Sequence, residues 1–279
     1  MSPVVIASTV TLALIALRAL DLLVLQADSW PDPTIPSKAL GLLLVFLFLR
    51  TVRQRIDSIG LHTRNLGYAV GIGAVSLLTM FACLYAIDLF MLRAAGEDPR
   101  VVIGIVDKNG ALIAGSMFVS LYFAGQVLNA FAEESIFRGI ILPRFMRTMS
   151  FWKANLSQAL LFAVAHLIWP LSSFALGQAT LSDALIQAAM LLVFTTMGGL
   201  LFGYLYYRTN SLWTSMLAHL IDNSVWLFIH IKTIHIETGT RFNAETDVSM
   251  FARVAFLSLA LIAWFVTKRA GIAPLAPRS

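Results

Sequence analysis

The chain has 279 residues, of which 58% are hydrophobic and only 13% are charged. Soluble domains carry roughly a quarter charged residues, so this composition excludes an ordinary soluble globular protein and indicates an integral membrane protein. The formal charge of +5 does not indicate nucleic-acid binding, because the cations cluster at the ends of apolar segments, where lipid headgroups account for them. The single cysteine, Cys83, excludes an internal disulfide framework and a cysteine-rich metal site.

Eight apolar segments follow one another along the chain. The first holds Arg18 and Asp21 and lacks a basic leader and a cleavage pattern, so we interpret it as a retained span. Because the runs are continuously apolar, they predict helices rather than the alternating strands of a barrel. The second run is short for a span of about 20 residues. The segments cover residues 3–25, 39–49, 66–92, 111–132, 154–170, 184–207, 212–231 and 250–266.

The combined number of lysine and arginine residues alternates between high and low from one connection to the next. The connections after segments two, four, six and eight hold twelve of these residues, and the alternate connections hold seven. The positive-inside rule therefore predicts eight spans with both termini in the cytoplasm. The expected fold is an all-α, polytopic membrane helix bundle without a separate soluble domain. We expect motif-free helices in residues 1–110, a motif-bearing core in 111–230, and a last span with a short cytoplasmic tail in 231–279.

Two adjacent glutamates, Glu133 and Glu134, lie at the end of the fourth apolar segment. An ionised side chain within a bilayer costs at least a few kcal/mol, so acidic residues there are candidates for proton, ion or bond-breaking chemistry. Glu134 and Arg138 are four residues apart, in the orientation that favours a structural ion pair. Glu133 has no partner at that spacing, which makes it the better candidate for chemistry.

Segments four and five are predicted to form an antiparallel hairpin. A polar and aromatic break predicts a turn near Met149 and Ser150. Glu133 and His166 each lie about 16 residues from this turn, roughly 24 Å along helices that rise about 1.5 Å per residue. We therefore expect the two side chains to lie at equal height and to face each other.

Segment seven carries Ser215, His219 and Asn223 at intervals of four residues, which places them on one helix face. Polar groups within a membrane are tolerated in the bundle interior, so His219 and Asn223 are expected to converge there with Glu133. Taken singly, a histidine or an asparagine in an apolar helix is more often a packing residue. No oriented acid supports Ser215 as a nucleophile. We interpret Asp222 as structural, and we expect His62, His230 and His235, close to loops, to be solvated.

The three groups of residues together resemble a known family. The segments Glu133-Glu-Ser-Ile-Phe-Arg138, Phe162-Ala-Val-Ala-His166 and His219-Leu-Ile-Asp-Asn223 are similar to the motifs Glu-Glu-x-x-x-Arg, Phe-x-x-x-His and His-x-x-x-Asn of the CPBP family. This family, also called ABI, includes type II CAAX prenyl endopeptidases and bacteriocin-immunity proteins. The resemblance covers residues 111–228.

The resemblance implies an intramembrane protease of the CAAX prenyl endopeptidase kind. It implies that Glu133 and His166 activate a water that attacks a peptide carbonyl, and that His219 and Asn223 stabilise the oxyanion. Glu134 and Arg138 would support the helix and tune Glu133. The peptide substrate would be a prenylated CAAX-type tail or another membrane-associated peptide.

Zinc is an alternative that uses the same side chains. Glu133, His166 and His219 could supply three ligands, with water as the fourth. However, the chain lacks a His-Glu-x-x-His pair, and Asn223 is a poor zinc ligand but a good hydrogen-bond donor. We therefore favour chemistry without a cofactor.

Two other function classes remain open from the residues. One is a non-catalytic peptide-binding or bacteriocin-immunity protein that uses the same cavity. The other is a proton-coupled transporter, which inverted repeats or broken helices would favour and which we do not find. The expected location is the cell (inner) membrane of a prokaryote, with lipids and a peptide or lipidated protein as partners and no nucleic acid.

Overall fold

A computed structural model of the protein describes residues 2–25, 35–106, 112–113, 116–235 and 239–242. Within these ranges the chain is predominantly helical, which confirms the predicted helical membrane fold. The helices are α1 (Pro3–Ala19), α2 (Ile35–Thr51), α3 (Leu66–Ala94), α4 (Ser116–Glu134), α5 (Leu142–Phe145), α6 (Phe151–His166), α7 (Ile168–Ala175), α8 (Leu181–Thr209) and α9 (Leu212–Phe228).

Three shorter helical segments and five short strands complete the described part of the chain. A π-helix, Leu20–Leu25, continues α1, a second π-helix, Ser135–Ile141, joins α4 to α5, and a 3₁₀-helix covers Ile56–Ile59. The strands are β1 (Arg100–Ile103), β2 (Ile105–Val106), β3 (Leu112–Ile113), β4 (Ile229–His235) and β5 (Gly239–Phe242). All pairings are antiparallel, in a sheet ordered β1-β4-β5 and a hairpin of β2 with β3. The sequence reasoning did not predict these strands.

Four of the described helical stretches are long and apolar enough to cross a membrane, namely Pro3–Leu25, Leu66–Ala94, Phe151–Ala175 and Leu181–Thr209. Helices α2 and α9 have 17 residues each, short of the roughly 20 that a full span needs. The eighth predicted segment, residues 250–266, lies outside the described residues. The count of eight spans, the cytoplasmic termini and the three-part division of the chain stay predictions.

Local capping explains where several helices begin and end. Ser2 accepts a hydrogen bond from the Val5 amide, with Pro3 in the first turn of α1. Thr180 and Asp183 form a reciprocal capping box at the start of α8. The same helix ends at Asn210, which takes a left-handed conformation with φ of 49°. The chain thus turns between α8 and α9 within two residues, Asn210 and Ser211.

The bundle packs around two apolar clusters. One joins α1, α2, the second π-helix and α6, and contains Phe137, Ile140 and Phe162. The other joins α3, α8 and α9, and contains Phe202 and Ala218. Helix α4 packs against α2 and α9, and α6 packs against α1 and α8, which places the polar side chains of α4 and α9 in the interior of the bundle.

Close approach of α6 and α8 requires glycine at position 199. A Cβ atom there would lie 2.9 Å from the Cβ of Ala159 and 3.0 Å from its Cα, whereas at Gly198 the nearest atom would be 3.8 Å away, on Phe202. We expect Gly199→Ala to lower the free energy of unfolding by about 1–3 kcal/mol through overpacking. Gly198→Ala should leave it unchanged or raise it by up to about 1 kcal/mol, since alanine favours helix. Unfolding titrations in mixed micelles would measure both, and equal effects would contradict this packing.

Candidate active site

The candidate site lies where α1, α4, α6 and α9 meet. Glu133 is the penultimate residue of α4, His166 ends α6 and His219 lies in the middle of α9. Glu133 and His219 are buried, at 4% and 3% exposure. The turn at residues 146–150 joins α5 to α6, and Glu133 and His166 line one cavity, which confirms the predicted hairpin and the facing of its two side chains.

A π-helix begins directly after the two glutamates. All seven of its residues, Ser135–Ile141, are buried, among them Arg138. A π-helix turns less per residue than an α-helix, and such segments occur mainly as short insertions at functional sites. Sequence reasoning predicted a continuous helix here and did not predict the π segment.

Glu133 forms an ion pair with an arginine from the first helix. Its Oε1 atom lies 2.9 Å from Nη2 of Arg18, and both side chains are buried. The same Nη2 donates to Oδ1 of Asn129 at 2.5 Å, one helical turn before Glu133 on α4. Among the described residues, Oε2 of Glu133 has no hydrogen-bond partner. One carboxylate oxygen is therefore held and the other is free to accept a proton.

Sequence reasoning noted Arg18 but did not place it in the site. The available signal was an arginine inside an apolar run, which must find a counter-charge when it is withdrawn from water. No spacing rule connects it to Glu133, because the two residues are 115 positions apart. The structure also adds Asn129 to the site, through its hydrogen bond to Arg18.

Glu134 and Arg138 form the predicted ion pair, with Oε1 of Glu134 2.7 Å from Nη1 of Arg138. Both side chains are fully buried. Arg138 Nη2 donates to the Gly199 carbonyl at 3.2 Å, and its guanidinium lies over the rings of Phe162 and Phe202, 4.5 and 5.3 Å from their centroids. The second motif therefore contributes a phenylalanine that packs against the arginine of the first.

His219 links the two glutamates. Its Nδ1 lies 2.8 Å from Oε1 of Glu134 and must donate, because an ionised carboxylate only accepts. Its Nε2 lies 3.7 Å from Oε2 of Glu133, and its ring stacks on Phe202 at 5.1 Å. The cluster of two carboxylates and two guanidiniums is balanced in formal charge, with His219 between the pairs.

His166 is oriented by its own helix. Its Nδ1 lies 2.8 Å from the Phe162 carbonyl oxygen, which can only accept, so Nδ1 carries the proton and Nε2 of the neutral ring carries a lone pair. His166, Glu133 and Arg18 line a cavity of about 10 Å³, together with Leu14, Phe137, Ala165 and Trp169. A water molecule needs a cavity of roughly this size. The cavity thus offers two proton acceptors to a single water.

Asn223 lies one turn beyond His219 on α9 and is partly buried. Among the described residues, its amide makes no hydrogen bond to Glu133, Glu134 or His166. Ser215 donates to the Leu212 carbonyl at 3.1 Å, in keeping with a structural hydroxyl. The structure therefore brings together Glu133, Glu134, His166 and His219, and leaves Asn223 at the edge of the cluster.

Two histidines outside the motifs differ from expectation. His62, expected to be solvated, is partly buried and its Nε2 donates to the Asn210 carbonyl at 2.9 Å. His230 is buried, with Nε2 3.0 Å from the Gly104 carbonyl. The expectation was wrong for both, because His62 packs against the turn after α8 and His230 lies in β4, which pairs with β1. The side chain of His235 lies outside the described residues.

The side chains that could supply zinc ligands are not arranged as a metal site. In the part of the chain that the structure describes, no three histidine, cysteine, aspartate or glutamate side chains are placed to hold a metal ion. In addition, the guanidinium of Arg18 lies 2.9 Å from Glu133, where its charge opposes a divalent cation. Glu133, His166 and His219 thus do not fit a zinc site in this arrangement.

Comparison with known proteins agrees with the motifs. Residues 115–225 match the family described as type II CAAX prenyl endopeptidase Rce1-like. The chain is also 27% identical over 197 residues to the Bacillus subtilis (strain 168) protein named "Putative membrane peptidase YdiL", an alignment that covers 69% of each chain. No solved structure matches the chain. The resemblance that the three motifs predicted is thereby confirmed, and the chain is similar to membrane proteases of the CPBP family.

Proposed function

We propose that the protein is an intramembrane endopeptidase that hydrolyses a peptide bond with a water activated by Glu133 and His166. One observation carries the proposal, namely that these two side chains, from different helices, line the same water-sized cavity. Each side chain keeps a proton acceptor, since Oε2 of Glu133 accepts no hydrogen bond among the described residues and His166 uses only Nδ1 in its described hydrogen bond. The family relationship supports the same reaction class.

The proposed reaction begins with proton transfer from the water. Glu133 takes one proton of the water as the water oxygen bonds to the peptide carbonyl carbon. Nε2 of His166 accepts a hydrogen bond from the second hydrogen, which orients the attacking lone pair of the water oxygen. The carbonyl oxygen becomes an oxyanion. Collapse of this intermediate breaks the carbon–nitrogen bond, and the proton held by Glu133 passes to the leaving amine. The products are a carboxylic acid, which keeps the second hydrogen of the water, and a free amine, without a covalent enzyme intermediate.

His219 and Asn223 are proposed to stabilise the oxyanion. Because Nδ1 of His219 donates to Glu134, its Nε2 donates only when the ring is protonated. The carboxylates of Glu133 and Glu134, both in contact with the ring, favour that cation. The Asn223 amide, one turn along α9, would join when substrate enters. Glu134 and Arg138 act through His219, by fixing its ring and supplying its counter-charge.

The proposed substrate is a membrane-associated peptide, with a prenylated CAAX-type tail as one candidate. Its lipid would have apolar surfaces to contact, since the outward face of α8 exposes large apolar side chains, including Leu185, Ile186 and Val193. We propose a multi-pass location in the inner membrane of a prokaryote, with lipids as surrounding partners and no nucleic acid.

A comparison of new peptide termini tests the proposed function. Membranes from cells that express the wild-type chain or Glu133→Gln, at matched abundance, would be analysed by terminal-peptide proteomics. We expect a set of cleavage sites that appears only with the wild-type chain, which would also name the substrate. If both membranes show the same termini while a cellular phenotype survives in the variant, the binding or immunity role replaces the enzyme.

A further inference from the structure

We infer that Arg18 is a catalytic residue of this site, in which the first helix supplies a guanidinium donor to the oxyanion. The inference rests on the proposed function. It adds a residue from outside the region matched to the Rce1-like family, since that region begins at residue 115. The active site would then be built from the family domain and the preceding helix α1 together.

Arg18 lies directly beside the groups that are proposed to activate the water. Its side chain lines the cavity with Glu133 and His166, the two groups proposed to hold the water. A donor stabilises the oxyanion only if it lies within about 3 Å of the carbonyl oxygen of the peptide that the water attacks. In the described part of the chain, Arg18 contributes the only guanidinium to this cavity.

One nitrogen of Arg18 is available to donate. Nη2 is occupied by Glu133 and Asn129, but Nη1 is buried and has no hydrogen-bond partner among the described residues. A buried donor without a partner costs about 1–3 kcal/mol, so a native structure rarely keeps one without a use. In Arg138 both Nη atoms are engaged by protein groups and only Nε, which faces back along the side chain's stem, is without a partner among the described residues.

The ion pair also explains why Arg18 can act in the transition state. Before reaction, Glu133 is ionised and neutralises Arg18 across 2.9 Å. When Glu133 accepts the proton of the water, its negative charge disappears and reappears on the carbonyl oxygen. In the proposed step, Arg18 first neutralises the carboxylate and then the oxyanion, so that its positive charge keeps a counter-charge throughout the reaction.

The test uses the full-length chain in lipid nanodiscs and a quenched-fluorescence peptide that carries the cleavage site found by terminal-peptide proteomics. The variants are Arg18→Met and Arg18→Lys. The matched control is Arg144→Lys, a buried arginine outside the site that donates to the Ile140 carbonyl and stacks on Phe48. We expect Arg18→Met to lower kcat by about 10²–10³-fold, as removal of an oxyanion donor does, with KM changed by less than about threefold. Arg18→Lys should recover part of kcat, and Arg144→Lys should change neither constant.

An inhibitor series separates this catalytic role from a structural one. A phosphinate analogue of the same peptide carries the tetrahedral, negatively charged centre. Its affinity should fall in Arg18→Met by about the same factor as kcat/KM, whereas the affinity of an uncleavable N-methyl peptide should stay constant. A loss of both affinities, or full activity of folded Arg18→Met, would overturn the inference. Full activity of Glu133→Gln would instead overturn the proposed function.

Discussion

Replacing Glu133 with glutamine is expected to slow peptide cleavage by about 10²–10⁴-fold, the usual contribution of a general base. Glutamine has the shape of glutamate, and its carbonyl oxygen can still accept from Arg18. It cannot take a proton from the water in the cavity that His166 also lines. The rate would be measured per mole of folded enzyme on the peptide identified by terminal-peptide proteomics.

Glu97→Gln is the matched control for this variant, because it makes the same chemical change outside the site, in the turn that follows α3. We expect its cleavage rate to stay within about twofold of wild type. Glu133→Gln also leaves Arg18 without its counter-charge, so its melting temperature should fall, and the measurement must be made below that temperature. A folded Glu133→Gln chain that cleaves at the wild-type rate would show that another group activates the water.

Replacing Arg138 with methionine is expected to lower the free energy of unfolding by about 3–5 kcal/mol. Glu134 and Arg138 are both fully buried and 2.7 Å apart, so the variant leaves a carboxylate in a dry interior with only His219 as partner. It also removes the guanidinium that packs over Phe162 and Phe202. Denaturant titration in mixed micelles would measure the change.

A double-mutant cycle separates the charge from the packing. Adding Glu134→Gln to Arg138→Met removes the stranded carboxylate, so the double variant should be more stable than Arg138→Met alone by at least about 1 kcal/mol. Arg100→Met provides the exposed comparison, since Arg100 pairs with Asp98 at 2.9 Å with both side chains more than half exposed. Such pairs contribute about 0–1 kcal/mol. Similar losses for Arg138→Met and Arg100→Met would contradict a buried structural pair.

Most of the site could be predicted from local spacing. The interval of four residues that links Glu134 to Arg138 is a property of any helix, and so is the equal distance of Glu133 and His166 from their turn. These relations hold within one helix or one hairpin, and the structure confirms both. The predictions for His62 and His230 failed because each donates to a carbonyl more than 100 positions away.

The sequence by itself determined that this is a helical membrane protein, that it carries the three CPBP motifs, and that two of its helices bring Glu133 and His166 to one level. Only the tertiary structure decided which partner each glutamate takes: Arg18, 115 positions away, for Glu133, and His219, 85 positions away, for Glu134. Hydropathy and helical period describe which face of a helix is buried, whereas these pairs depend on which helices become neighbours. That choice is made by the packing of the whole bundle, where a buried charge is stabilised by a counter-charge or by hydrogen bonds from a neighbouring element.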